Sequence, residues 1–553
     1  MSTCGDKNEP KIELSANIHI SGKMAKAGQI SSSTPRVSRN VSIRVNEEDL
    51  VSVQASSLFH GLPASVVNLE KPRRTGIICT IGPKSLPRIG ELLAAGMNVM
   101  RLNFSHGTHE YHESCIRKLR EELRKRPGML CAIALDTKGP EIRTGLFVDS
   151  KDVQIEKGSK VTITTDEQFR DKGTASKFFI DYKSLCTTVK PGMFIFISDG
   201  TLRLKVLECG STEVVCEAVN SAVIGDQKGV NLPGAKVDLP AVSEKDIDDL
   251  RFGVQQGIDV VFASFIREAA QVLEIRKILT AAGPEGKDVK IFSKIENQQG
   301  LDNFEEILKV TDGVMVARGD LGIEIPPAKV FVAQKKLIRL CNIYAKPVIC
   351  ATQMLESMVN NPRPSRAEVS DVGNAVVDGA DCVMLSDETA KGDYPIESVE
   401  HMDHICVEAE GFLAYEKIWS DMRASTSRPM DNVDSVACAA VMLSFDEEVK
   451  LIVIVSESGN LARHVSKYHP NVPVVALTRR PRVARQQLLS RGILSLLVDS
   501  SEFSSVSNLL SIACHAAIEV NFCKPGDKAV AIHDNELHEY SEEASVMHVF
   551  TIE

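Results

Sequence analysis

Eight short apolar runs, each closing in polar or glycine-rich residues, constrain this chain more than any other feature. They are Thr75–Ile81, Asn98–Asn103, Leu130–Asp136, Val260–Ile266, Val289–Ile295, Gly313–Ala317, Pro347–Ala351 and Cys382–Leu385. Near-continuous hydrophobicity over so few residues suits parallel strands covered on both faces. Helical periodicity separates most of them, as at Arg88–Ala95 and Lys335–Ala345. Eight alternating units predict an α/β fold, a (β/α)8 barrel of the TIM type.

The spacing breaks once, between Asp136 and Val260. Runs at Lys160–Thr164, Met193–Ile197, Leu202–Val206 and Glu213–Ala218 read as strands, and turns such as Lys190-Pro191-Gly192 separate some of them. Residues 140–240 are therefore expected to form an inserted β-barrel lid domain, leaving 71–139 and 241–414 for the catalytic barrel. Beyond that, 415–553 reads as a C-terminal α/β domain with strands at Val449–Val455, Val472–Ala476 and Lys528–Ile532. Residues 1–70 read as a tail and lead-in segment. Its Ser-rich, basic stretch has a transit-peptide flavour, but Asp6, Glu9 and Glu13 precede it.

A net charge of −10 argues against bulk affinity for nucleic acid or anionic membrane. An anionic substrate then needs a local cluster of cations or metal ions. No apolar run approaches the ~20 residues of a spanning helix. None of the 14 cysteines falls in a Cys-x-x-Cys pair, and Cys79, Cys131, Cys350 and Cys382 sit in apolar runs. Buried reduced thiols and a cytosolic location are expected.

Chemistry in a barrel gathers where strands end. The second run delivers Arg101, Asn103 and Ser105, the third Asp136 to Arg143, the fifth Lys294 and Glu296, the sixth Arg318-Gly319-Asp320, the seventh Thr352-Gln353 and the eighth Ser386-Asp387-Glu388. Glu296 and Asp320, from adjacent strands, offer hard oxygens suited to Mg²⁺ or Mn²⁺. Arg101, Arg143 and Lys294 balance a phosphorylated substrate. Taken singly, each residue reads better as an ordinary strand-end ion pair, and the joint pattern is what points to a site. No phosphate-binding Gly-x-x-x-x-Gly-Lys-Ser/Thr loop is present. His106, His109 and His112 read as a solvated helix start rather than a metal site.

Asn103-Phe104-Ser105-His106-Gly107, Asp136 through Gly145, Lys228 through Gly234, Lys294-Ile295-Glu296-Asn297, Met315 through Glu324, Cys350 through Leu355 and Arg366-Ala367-Glu368 together resemble the pyruvate kinase family. The likeness runs from about Thr75 to Tyr394 and thins beyond. It implies transfer of a phosphoryl group from phosphoenolpyruvate to ADP, giving pyruvate and ATP in glycolysis. It further implies Glu296 and Asp320 on a divalent metal, and Lys294 and Arg101 on the phosphoryl group. The N–H groups of Gly319 and Asp320 would face the substrate carboxylate, with Thr352 beside the enolate carbon. Asn103, Ser105, Asp136 and Thr137 match the family's K⁺ site, and Glu141 matches potassium dependence. The segment Asn103-Phe104-Ser105-His106, with Arg143 and Lys228, would hold the nucleotide and its second Mg²⁺. The lid would close over the site, and the molecule would be a homotetramer.

Departures are specific. Asp387 stands where the family has glycine, adding an anion and, if that glycine had positive φ, strain of order 1 kcal/mol. Ser365 replaces Thr, Gly373 replaces Ala, and Ser198 replaces the first of two lid acids, with Asp199 retained. In the C-terminal domain, Ser456-Glu457-Ser458-Gly459-Asn460 lacks the arginine of a sugar-bisphosphate loop, and the late loop reads His533-Asp534-Asn535-Glu536. Weak or absent activation by fructose 1,6-bisphosphate is expected. Two other readings stay open on sequence: a nearly silent paralogue acting as a regulatory or binding subunit, and a different barrel enzyme acting on enolpyruvate or a 2-oxo acid.

Overall fold

The computed structural model describes residues 73–198, 200–240, 242–445, 448–501, 505–533 and 546–553. The N-terminal tail, Asp199 and Asp534 to Glu536 lie outside the described residues. Eight strands close a barrel: Gly76–Thr80, Val99–Asn103, Ala132–Asp136, Val260–Ala263, Lys290–Ile295, Gly313–Ala317, Val348–Ala351 and Cys382–Leu385. The first pairs in parallel with the last, Gly76 opposite Cys382, so no edge remains. Each expected run contains one of these strands, shortened where its ends turn out of the ladder. Ile78, Val99, Phe262, Phe292, Met315 and Ile349 fill the interior, while a larger apolar layer packs between strands and helices.

The helix expected at Lys335–Ala345 instead spans Val330–Ile343. Phe331 and Val332, in its first turn, are 59% and 54% exposed. They fall off the apolar stripe, so periodicity alone misses the start. The helix Arg366–Asp378 begins in a capping box: Ser365 accepts from the Glu368 N–H, and the Glu368 carboxylate returns to Ser365 N. Ser365 thus keeps the function its hydroxyl provides. Gly373 lies inside this helix, and a Cβ there would meet no heavy atom within 4 Å.

The insert is a seven-stranded sheet whose two end strands meet, since Thr144 bridges Ile180 in antiparallel sense and Gly145 N donates to the Phe179 carbonyl at 2.9 Å. Its order is Ile142–Arg143, Gly229–Asn231, Phe194–Ile197, Leu202–Cys209, Glu213–Ala218, Lys160–Thr164 and Lys177–Phe179, and a separate ribbon pairs Ala222–Ile224 with Val153–Ile155. A parallel pairing of Lys160–Thr164 with Lys177–Phe179 stands beside that junction. Its core, with Phe147, Phe178, Ile195 and Leu204, is separate from the barrel's.

The C-terminal sheet has five strands, ordered Ile493–Leu497, Val474–Thr478, Val449–Val455, Lys528–His533 and Val546–Thr551. The expected strand Val472–Ala476 slips to Val474–Thr478, because Pro473 has no N–H to give the ladder. Among the described residues, no helix is long and apolar enough to cross a membrane. The described cysteines are free thiols, and Cys79, Cys131, Cys350 and Cys382 are buried.

Candidate active site

Parallel register brings the strand-end charges together. Asn103 lies opposite Asp136 across one strand pair, and Lys294 opposite Met315 across another. Asp136 is 1% exposed and accepts from Arg101 Nε at 2.6 Å. Its other oxygen takes Lys294 Nζ at 3.2 Å and the Ser264 hydroxyl at 3.3 Å. Burial opposes the Asp136 carboxylate, but Arg101 and Lys294 outweigh it and hold the acid below its usual range. Burial likewise opposes the Lys294 ammonium, and Asp136 and Glu296 overcome that, raising its pKa. Both groups therefore stay charged. Thr80 completes the cluster by accepting from Arg101 Nη1 at 2.8 Å.

Glu296 is fully buried as a residue, and the backbone N–H of Phe265 donates to its Oε2. Lys294 Nζ lies 2.9 Å from Oε1, an ion pair, yet no donor makes a directed hydrogen bond to that oxygen. Asp320 is in the first turn of the helix Arg318–Glu324, which follows the sixth strand directly. Glu296, Asp320, Lys294, Arg101 and Thr352 line one cavity of about 1530 Å³. A buried oxygen without a directed hydrogen-bond donor, on a residue that lines that cavity with a second carboxylate, fits a hard divalent cation.

The seventh strand ends in strained backbone: Thr352 has φ 75° and Gln353 φ 54°. Arg318 holds this turn, with Nη2 donating to the Thr352 carbonyl at 2.8 Å and Nη1 pairing with Asp371 at 2.7 Å. Gly319 must lack a side chain, because a Cβ would stand 2.8 Å from Thr352 Cγ2. Glu388 braces the same region, accepting from Leu355 N at 3.0 Å and Ser386 N at 2.7 Å.

Beneath the lid, a cavity of about 640 Å³ is lined by Asn103, Ser105, His106, Arg143 and Lys228. Arg143 pairs with Glu141 and donates Nη1 to the Gln227 carbonyl at 2.8 Å. Phe104 does not join the lining, since its ring is 2% exposed and stacks on His112 with 4.0 Å between centroids. Only its backbone is available, and its carbonyl accepts from Lys245 Nζ at 3.0 Å. The potassium candidates offer hard oxygens throughout: an amide, a hydroxyl, a carboxylate and the Thr137 carbonyl. That carbonyl is oriented by the Ser264 hydroxyl at 2.6 Å, and the Asn103 amide oxygen accepts from Ser105 N at 3.1 Å. This donor set fits an alkali cation better than a transition metal.

Two expectations are corrected. The histidine segment is a solvated helix start only in part: His106 is exposed and the helix begins at His109, but His112 is 3% exposed, bonds the His106 carbonyl at 2.9 Å, and has its pKa lowered by burial. His109 meets Asp249 at 2.7 Å. Strain at Asp387 is also absent, since it lies outside the positive-φ residues and opens a helical turn, Asp387–Ala390. Its carboxylate lines the cavity mouth and pairs with Lys391 at 2.7 Å. Sequence reading passes over Ser264, which joins Asp136, Thr137 and Lys294. It was hidden inside the apolar run Val260–Ile266, where a lone hydroxyl at a strand end was the available signal.

Comparisons with known proteins point one way. The family model described as pyruvate kinase, barrel domain, matches residues 72–399, and that for the pyruvate kinase alpha/beta domain matches 434–550. A pyruvate kinase of Candida albicans is 50% identical over 467 residues, covering 83% of this chain and 92% of its own length. One from Schizosaccharomyces pombe is 49% identical over 468 residues, covering 83% and 91%. The crystal structure of a pyruvate kinase from Cryptosporidium parvum aligns with a TM-score of 0.83 at 40% identity, over 89% of this chain and 98% of that one. With closed barrel, lid sheet and C-terminal α/β unit all in place, the chain belongs to the pyruvate kinase family.

Proposed function

We propose how this cleft carries out the reaction of its family, transfer of the phosphoryl group of phosphoenolpyruvate to ADP, giving pyruvate and ATP. The observation that carries the reading is Lys294, a buried cation held between Asp136 and Glu296 at the cavity wall. Fixed there, it stabilises charge on the phosphoryl group in flight without reorganising. Arg101, oriented by Asp136 and Thr80, takes the phosphate oxygens. The N–H groups of Gly319 and Asp320 bind the carboxylate of phosphoenolpyruvate. Thr352 relays a proton through water to the enolate carbon.

Glu296 and Asp320 would hold a divalent ion, Mg²⁺ or Mn²⁺, which would supply Lewis-acid polarisation of the phosphoryl group. Asn103, Ser105, Asp136 and the Thr137 carbonyl would hold K⁺, which would supply fixed positive charge. Arg143, Lys228 and the Asn103–His106 segment hold the ADP phosphates, with Phe104 contributing backbone alone. The lid, residues 140–240, excludes water so that transfer outpaces hydrolysis.

The molecule works in the cytosol as a homotetramer. Supporting assembly, Phe331 and Val332 on one barrel helix and Val369 and Val377 on the neighbouring Arg366–Asp378 are exposed apolar residues suited to a second copy. Light scattering on the purified chain tests this, and a monomer sinks it. The catalytic reading is tested by a lactate-dehydrogenase-coupled assay with phosphoenolpyruvate, ADP, Mg²⁺ and K⁺. Turnover that collapses without K⁺ supports the potassium set, and a chain that makes no pyruvate is the silent paralogue.

A further inference from the structure

One contact crosses the cleft away from the lid's hinge. Asn231 closes the short lid strand Gly229–Asn231, where it sits opposite Phe196 of the next strand. Glu324 closes the helix Arg318–Glu324 on the barrel rim. Asn231 Nδ2 donates to Glu324 Oε1 at 3.1 Å. Glu324 follows Asp320 by four residues, so both project from one side of the helix. All three line the cavity of about 640 Å³ shared with Arg143 and Lys228.

We propose that the Asn231–Glu324 hydrogen bond is the latch that holds the closed lid to the helix carrying Asp320, making both residues positioning residues for transfer to ADP. The inference rests on the reading of the lid given above. Other ties between insert and barrel lie where the chain leaves the lid: Arg267 donates to the carbonyls of Leu239 and Pro240. Those ties fix the hinge and leave the swing of the sheet free. The latch sits instead on the strand that continues from Lys228, so lid angle and nucleotide contacts move together.

The local chemistry suits a switchable tie. Burial raises the Glu324 pKa, and the Asn231 amide partly offsets this. A cation at position 231 would bind too firmly to release product, while an amide holds weakly enough to open in each cycle. Opening admits water. The phosphorus–oxygen bond of phosphoenolpyruvate then breaks to a water oxygen, giving pyruvate and inorganic phosphate without ATP.

Polarity exchange tests the latch. Asn231→Asp sets two carboxylates against each other and should raise KM for ADP about tenfold, with kcat falling less. Pyruvate formed should then exceed ATP formed. Glu324→Gln keeps an acceptor oxygen and should cost no more than about threefold. The double variant Asn231→Asp with Glu324→Gln lets the new amide donate to the new carboxylate, and should return KM and the pyruvate-to-ATP ratio to within about threefold of the parent. Wild-type behaviour in Asn231→Asp, a double variant as impaired as Asn231→Asp, or equal impairment in Glu324→Gln each overturns the latch. A parent chain that makes no ATP from phosphoenolpyruvate and ADP would instead overturn the catalytic reading.

Discussion

At the N-terminal end of the barrel, Asp381 accepts from the Arg463 guanidinium, from Arg491 N at 2.9 Å and from Val348 N at 2.9 Å. Asp259 similarly takes Arg485 at 2.8 Å and Ile133 N at 2.9 Å, and Asp288 takes Arg480 at 3.2 Å. These pairs join the barrel to the C-terminal domain. At the opposite end the charges are as dense, but Glu296 and Asp320 face a cavity, and Glu296 Oε1 has no hydrogen-bond donor. Buried acids matched by arginine and backbone N–H are a joint between domains. Acids that line open space beside a held lysine are a site.

Replacing one cation at each end breaks or sharpens that contrast. Lys294→Met should lower kcat about 10³-fold, because a fixed charge on the transition state is lost in a water-poor cavity. Circular dichroism should show the fold retained. Arg463→Met should leave kcat within about twofold but lower the melting temperature, since a buried Asp381 without its guanidinium costs about 3–5 kcal/mol. Equal loss of activity in both variants would erase the distinction. The acid limb of the pH profile adds a check by sign. Arg101 and Lys294 hold the Asp136 pKa down, so its stabilising charge is present above the ordinary carboxylate range and is lost only as pH falls through that lowered value.

These two ends were unequally legible in the sequence. The barrel strands showed themselves because both faces are covered, giving runs such as Gly313–Ala317 with no polar residue. The cleft followed, because chemistry sits where those runs stop. The joint was invisible: Arg485 meets Asp259 across 226 positions, and Arg463 meets Asp381 across 82, with no local pattern to announce either. The lid strands Ile142–Arg143 and Gly229–Asn231 are too short for alternation to register, so Asn231 stood out only as part of the motif Lys228 through Gly234, with no latch role to read from it. His112 looked solvated because its burial depends on Phe104 arriving from a different element.

A smaller effect is expected at the cleft's mouth. Asp387 adds an anion there, but Lys391 pairs with it at 2.7 Å and both are exposed. Screening leaves little net field. Asp387→Gly should lower KM for ADP about twofold, with kcat hardly altered. A change of tenfold or more would mean that the carboxylate leaves Lys391 and reaches the nucleotide phosphates.

The smallest effect belongs to the C-terminal domain, where the loop after the strand Val449–Val455 has already met its own electrostatic needs. Glu457 Oε1 accepts from Arg479 N at 3.0 Å and from the Thr478 hydroxyl at 3.3 Å, and Oε2 pairs with Arg479 Nε at 3.2 Å. Backbone N–H, hydroxyl and guanidinium are the groups a phosphate would recruit. Here a tethered carboxylate holds them, and an arriving phosphate at ~4 Å would meet repulsion of about 1 kcal/mol in water and several times that in a drier site. Adding fructose 1,6-bisphosphate should therefore change the half-saturation for phosphoenolpyruvate by less than about twofold, because the differential affinity needed to shift an equilibrium is missing. A clear fall in half-saturation would show that Glu457 can be displaced, and that the domain behaves like the cleft, with charges waiting for a partner, rather than like the joint beside it.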